Sequence, residues 1–179
     1  ELKCWGRSIY NCQSTYRGTS TTYPMGNDLP TLPFGIGRAV ASMSVGAYAI
    51  CAVLDDDSAK CCGYGSYIGT AGTTNLYASN TLPALDLGSL AIERVIAEHR
   101  SLALLFRDGS IKTLGYNGQY GLGYGDSTNR YTVKPNDALP ALSLGSDFST
   151  VTKASFSTFN GCVVNSNEEV KCFGYRSRG

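Results

Sequence analysis

Cysteine is the residue type in this chain whose number and spacing point most directly to chemistry. The 179 residues include seven cysteines: Cys4, Cys12, Cys51, Cys61, Cys62, Cys162 and Cys172. Cys51–Cys61 and Cys162–Cys172 share a separation of 10 residues across a predicted hairpin, and in the segment between them Ala103 and Thr113 replace both cysteines together. If only one cysteine of such a pair were replaced, the other would be an unpaired thiol. The joint replacement therefore predicts two cross-strand disulfides rather than buried thiols that pack as small hydrophobic residues. Each would contribute about 2–3 kcal/mol to stability.

The other three cysteines leave more than one pairing open. Cys4 occupies the position of Cys61 and Cys172 in a repeated motif, so its expected partner would precede the sequence, which suggests a fragment of a longer array. Cys12 and Cys62 could join the first unit to the second, with Cys4–Cys12 as the alternative. The odd total predicts at least one thiol that is unpaired or bonded outside the chain, and Cys4 is the candidate. Since disulfides persist in oxidising compartments, we expect a secreted or cell-surface protein.

No group of residues has the pattern that catalysis requires. His99 is the single histidine, and its neighbours Glu98 and Arg100 favour a solvated surface position over a Ser-His-Asp triad. Neither a zinc-ligand spacing nor a nucleotide-binding loop occurs in the sequence. We therefore predict no enzymatic activity, no cofactor and no metal.

Charge and hydropathy exclude two classes of partner. The net charge is +1, and the short basic segment 176–178 is too small for a nucleic-acid patch. No apolar run approaches the roughly 20 residues that span a bilayer. The acidic residues Asp55, Asp56 and Asp57 could bind calcium, but an exposed hairpin turn is the preferred interpretation.

A repeat organises the chain. Its first marker, Lys-x-x-Gly, begins at Lys3, Lys60, Lys112 and Lys171, which are separated by 57, 52 and 59 residues. Its second marker, Leu-Pro, begins at Leu29, Leu82 and Leu139, and a glycine follows each at a fixed distance. Markers in constant order at such a period indicate a repeat protein. They divide the chain into units 3–59, 60–111 and 112–170, with 171–179 starting the next.

Each unit is predicted to be β-structured. Residues 49–54 are apolar or β-branched and run into the acidic turn, which a shorter strand follows. Asp108-Gly109 is a hairpin signal at the same place in a later unit. No helical period is sustained, although Ile92 to His99 could form one short helix. These features predict an all-β fold.

The repeat resembles the RCC1-type repeat, named for the regulator of chromosome condensation. Trp5-Gly6 is similar to the Trp-Gly element of that family, and Asn117 with residues 121–126, Gly-Leu-Gly-Tyr-Gly-Asp, is similar to its loop. The resemblance implies β-propeller blades of four strands each. The histidine that family members carry near the central strand is replaced here by Ala49, Ser101 and Asn160. Three units plus part of a fourth cannot close a seven-bladed ring, so the resemblance implies part of a propeller or an open stack.

Three functions follow as expectations. The first is an extracellular structural or adhesive module whose partners are further copies of itself, assembled into an array or filament. The alternative is a soluble propeller-type platform, inhibitor-like or receptor-like, that binds a different protein. The third, nucleotide exchange on a small GTPase, is implied by the resemblance alone and is much less favoured, because the predicted disulfides argue against a nuclear or cytosolic setting.

Two sets of polar residues suggest surface contacts or modification. Tyr64, Tyr116 and Tyr175 follow the motif glycine in register, and they predict packing between blades or else a repeated contact with carbohydrate or protein. Candidate O-glycosylation sites of a secreted protein lie in one Ser/Thr-rich stretch: Ser14, Thr15, Thr19, Ser20, Thr21 and Thr22.

Overall fold

The computed structural model describes residues 2–6, 12, 25–69, 74–131 and 139–175, and this part of the chain is almost entirely β. The strands are β1 (Leu2–Lys3), β2 (Thr31–Leu32), β3 (Val40–Val45), β4 (Ala49–Leu54), β5 (Ala59–Gly63), β6 (Ile92–Ala97), β7 (Ser101–Phe106), β8 (Ile111–Gly115), β9 (Val151–Phe156), β10 (Asn160–Asn165) and β11 (Val170–Gly174). Short 3-10 helices occupy Gly26–Asp28, Gly65–Tyr67 and Ser146–Phe148. The all-β prediction is confirmed.

The strands form three similar antiparallel sheets, in the orders β3-β4-β5, β6-β7-β8 and β9-β10-β11, and a short β1-β2 pair. The repeated lysines lie on the last strand of each: Lys3 on β1, Lys60 on β5, Lys112 on β8 and Lys171 on β11. The segment after each Leu-Pro returns along that last strand. Ala84 forms a bridge with Lys60, and the Leu142 amide donates to the Ile111 carbonyl at 2.8 Å. Each sheet is thus a blade. The strand that carries the repeated lysine is its outer strand, and the segment after Leu-Pro pairs with that strand.

The segment from Ile92 to His99 is not a helix, and that prediction is wrong. Residues 92–97 form strand β6, and a β-bulge shifts its register on β7 between Ile92 and Arg94. The bulge inserts one residue into the alternation of faces, so the buried side chains of Ile92 and Val95 are three positions apart. This spacing imitates the period of a helix, which explains the error.

The hydrophobic core lies between successive sheets. On the central strand β4, the buried side chains of Cys51 and Val53 share one cluster with Leu104 of β7. The alternating residues Ile50 and Leu54 join a second cluster, toward the β1-β2 pair. A strand covered on both faces must be apolar throughout, as the sequence of β4 is. Each middle sheet is therefore held by its two neighbours rather than by a core of its own.

The loop after β8 is organised by a buried asparagine. The Asn117 side chain donates to the Asp126 carbonyl at 2.7 Å and accepts from the Leu122 amide at 3.0 Å. Arg130 binds both carboxylate oxygens of Asp126, at 3.0 and 2.8 Å, and these bonds hold the pKa of that carboxyl well below its usual range. The guanidinium also lies 3.9 Å from the centre of the Tyr124 ring. The polar residues of this family-like loop therefore bind one another and fix the conformation of the loop.

We expect Asn117→Ala to lower the free energy of unfolding by about 2 kcal/mol, because the buried Leu122 amide and Asp126 carbonyl lose their partner. Urea denaturation followed by circular dichroism measures the change. The exposed Asn80, mutated to Ala, is the control and should change stability by less than about 0.5 kcal/mol. Equal effects of the two substitutions would contradict a structural role for Asn117.

Candidate interaction face

Three disulfides connect the strands and units. Cys51–Cys61 and Cys162–Cys172 each join residues directly opposite on neighbouring strands, with Cα atoms 4.1 Å apart. Ala103 lies directly opposite Thr113 in the same register, which explains why both cysteines are replaced together there. The third disulfide joins Cys12 to Cys62, a separation of 50 residues, and not Cys12 to Cys4.

Cys4 lies outside these three disulfides. Its side chain is buried in the cluster between the β1-β2 pair and the first sheet, and this burial raises the pKa of the thiol. A raised pKa lowers the thiolate fraction and with it the reactivity of the sulfur toward external partners.

The two hairpin disulfides occupy equivalent positions in different surroundings. Cys51 and Cys61 are 0% and 2% exposed, because the second sheet covers that side of the first. The same side of the third sheet carries Cys162 and Cys172, and of these Cys172 is exposed.

We call this side of the third sheet the open face and define it by four residues: Cys162, Val164, Val170 and Cys172. Their equivalents in the first sheet are all buried: Cys51, Val53, Ala59 and Cys61. Val170 is 62% exposed where Ala59 is completely buried. Within the described residues no further sheet packs on the open face. An apolar pattern that is buried between sheets at one point of the molecule is thus presented to solvent at another.

The opposite end of the stack exposes a large aromatic side chain. Trp5 is 62% exposed, whereas Leu2 and Cys4 beside it are buried against the first sheet. In the repeat, Trp5 is equivalent to Cys62, Leu114 and Phe173, whose side chains face the preceding unit. Trp5 therefore points away from the rest of the described chain.

The acidic residues 55–57 build a hairpin turn. The Asp56 carboxylate accepts from the amide and hydroxyl of Ser58, at 3.1 and 2.6 Å, and these hydrogen bonds lower its pKa. Asp108 makes the same pair of bonds to Ser110, at 2.8 and 2.6 Å. Arg107 also pairs with Asp57, which links the turns of neighbouring sheets. Among the described residues no group of three or more His, Cys, Asp or Glu side chains could hold a metal ion.

The motif tyrosines pair with residues of their own sheet. The amides of Tyr64, Tyr116 and Tyr175 donate to the carbonyls of residues 48, 100 and 159, at 2.8, 2.9 and 2.9 Å. Side chains of the same pairs are in contact, with ring centres 6.4 Å apart for Tyr48–Tyr64 and the Arg100 guanidinium 5.7 Å from the Tyr116 ring. The His99 ring lies 5.0 Å from that of Tyr48, within the same aromatic cluster. This arrangement favours packing as the role of these residues.

The remaining predicted positions lie outside the described residues. They are the Ser/Thr-rich candidates Ser14, Thr15, Thr19, Ser20, Thr21 and Thr22, and the basic segment 176–178. No helix in the described part of the chain is long and apolar enough to cross a membrane.

Comparison with solved structures identifies the fold. The structure of Kap60 bound to yeast RCC1 (Prp20) matches 95% of this chain with a TM-score of 0.65 at 19% sequence identity. This chain has the RCC1-like repeat fold. Human WBSCR16 matches 78% of the chain with a TM-score of 0.62 at 17% identity, and Prp20p from Saccharomyces cerevisiae matches 75% with a TM-score of 0.56 at 16% identity.

The RCC1-like chain is shorter than the proteins that it matches. It spans 38%, 34% and 33% of the matched chains in these three structures, in the order given. No protein-family model and no curated protein sequence matches it. The resemblance seen in Trp5-Gly6 and the Asn117 loop thus corresponds to shared architecture.

Proposed function

We propose that this chain is an extracellular protein-binding repeat module that associates end to end with further copies of itself. The open face carries the proposal, because it repeats at the surface the pattern that is buried between the first and second sheets. Exposed apolar patches of this kind mark interaction sites. A repeat unit buries its faces only against a neighbouring unit, so a second copy supplies the surface that this face lacks.

The disulfides support an oxidising compartment. Three of them join six of the seven cysteines. Disulfides are rare where glutathione and thioredoxin keep thiols reduced. The fold is compatible with protein binding, since one similar structure holds yeast RCC1 (Prp20) in complex with Kap60, and another concerns the binding of Prp20p to Gsp1p and histones.

Val170→Asp tests the proposal. We expect the substitution to weaken association at least tenfold, because it buries a carboxylate in an apolar interface. Val45→Asp is a matched control, since Val45 is also a strand valine and is 57% exposed, but it lies on β3, away from the open face. Sedimentation velocity across a concentration series gives both dissociation constants. Equal weakening by the two substitutions would contradict the open face as the site, and a wild-type chain that stays monomeric would contradict the function.

A groove where the three sheets meet favours a second candidate function, a monomeric platform that binds a different protein. Its volume is about 400 Å³, and most of its lining comes from the first strand of each sheet, β3, β6 and β9, with Met43, Arg94, Ile96 and Phe156 among the lining residues. Met43 is 49% exposed there. If sedimentation velocity finds both the wild-type chain and the Val170→Asp variant monomeric at every concentration, the result would favour this candidate over self-association.

A further inference from the structure

We infer that Trp5 of one copy packs on the Cys162–Cys172 disulfide of the next copy and is the main contact of a head-to-tail interface. The inference rests on the proposed self-association and names its contact. Two observations carry it: the position of Trp5 in the repeat and the surroundings of equivalent side chains in the second and third units.

Leu114 shows what this position does between sheets. It is equivalent to Trp5, is completely buried, and belongs to the cluster that contains Cys51 and Cys61 of the preceding sheet. The side chain at this position thus helps to cover the disulfide side of the sheet before it. Trp5 has no such sheet within the described residues, and Cys162–Cys172 has no such cover there. The exposed tryptophan and the exposed disulfide therefore occupy positions whose equivalents, Leu114 and Cys51–Cys61, share one buried cluster inside the chain.

Phe173 shows that an aromatic ring fits at this position. Its side chain packs against the cluster formed by residues such as Ala103 and Val163, between the second and third sheets. Glycine leaves room for the ring, because a Cβ atom on Gly161 would lie 2.8 Å from a Phe173 carbon. A small residue of the second sheet, Ala103, belongs to the cluster that Phe173 packs on, and its equivalent in the open face is Cys162. The open face therefore offers a small, polarizable surface to a large ring, and sulfur–aromatic contacts are favourable.

The two ends differ, so the resulting interface is heterologous. One surface carries Trp5 and the other carries the open face, and each copy uses both. Such interfaces generate rings when the rotation closes and open filaments when it does not. Tryptophan is strongly enriched among residues that dominate binding free energy. One tryptophan per copy, at one end only, would thus give the assembly its direction.

The fluorescence of Trp5 tests the contact, because the chain has one tryptophan. A disulfide in contact with an excited indole accepts an electron and quenches its emission. We therefore expect quenching and a shift to shorter wavelength as concentration rises, in parallel with association measured by sedimentation velocity. In the Cys162→Ala/Cys172→Ala double variant, association should still shift the Trp5 emission to shorter wavelength but should not quench it.

Trp5→Ala provides the energetic test. We expect it to weaken association about thirtyfold, the loss typical of a dominant interface residue. Tyr120→Ala is the control, since Tyr120 is another aromatic residue that is 50% exposed and lies in the loop after β8. Circular dichroism verifies the fold of each variant. Association that leaves Trp5 emission unchanged and is insensitive to Trp5→Ala would overturn this inference but leave the proposed function standing. No association at any concentration would overturn both.

Discussion

Mild reduction of the folded monomer should open Cys162–Cys172 on the order of 100 times faster than Cys51–Cys61. Both disulfides join opposite residues of a hairpin with a 10-residue separation, so loop length does not distinguish them. A reductant reaches Cys172 directly, whereas Cys51 is 0% exposed and becomes accessible only when the first and second sheets separate. An opening free energy of about 3 kcal/mol, well within the range for sub-global unfolding, gives this ratio.

The measurement is alkylation of the released thiols, followed by peptide mapping at successive times. Reduction in 6 M guanidinium, a condition about strong enough to unfold even hyperstable domains, is the control and should make the two rates similar. Equal rates in the folded monomer would contradict the difference in burial. If copies associate through the open face, raising the protein concentration should slow the reduction of Cys162–Cys172 and leave that of Cys51–Cys61 unchanged.

The disulfides illustrate how far the sequence could predict the structure. Residues at the same place in successive repeats share one environment in the fold, so Ala103 and Thr113 indicated that Cys51 and Cys61 are neighbours. The repeat does not decide between Cys12–Cys62 and Cys4–Cys12, because Cys12 has no equivalent in the other units. Repetition within the chain supplied the information that an alignment of homologues usually provides.

The repeat could not predict which of its equivalent residues are buried and which are exposed. Residues of identical type, Cys61 and Cys172, are buried and exposed respectively, because one has a following sheet and the other has none among the described residues. Similarly, Trp5 matches a family motif, but its exposure depends on the absence of a described sheet before it. The bulge in β6 was also missed, since one inserted residue changes the period of burial without changing the type of element. The candidate interaction face thus follows from the three-dimensional arrangement and not from residue types.

Gly63→Ala should lower the free energy of unfolding by about 4 kcal/mol. Gly63 ends β5 with a φ of +128°, and an added Cβ would overlap the carbonyl oxygen of Tyr48. That oxygen accepts the hydrogen bond from the Tyr64 amide at 2.8 Å, so the overlap also disturbs the pairing of β4 and β5 at the end opposite the hairpin turn. Backbone strain of about 1–3 kcal/mol and the loss of a partly buried hydrogen bond worth about 1–2 kcal/mol account for the total.

A second glycine separates the steric effect from the backbone effect. Gly125 also has a positive φ, +77°, but a Cβ atom added there would have no heavy atom within 4 Å. Gly125→Ala should therefore cost only the strain of the left-handed conformation, about 1–2 kcal/mol. Urea denaturation of both variants and the wild type gives the difference, and equal losses would show that the contact with Tyr48 is relieved at little cost. Gly115 and Gly174 repeat the geometry of Gly63, since a Cβ on either would overlap the carbonyl oxygen of Arg100 or Phe159. A large loss of stability at all three positions would mean that the motif requires glycine because the backbone at the start of the neighbouring strand lies too close for any side chain.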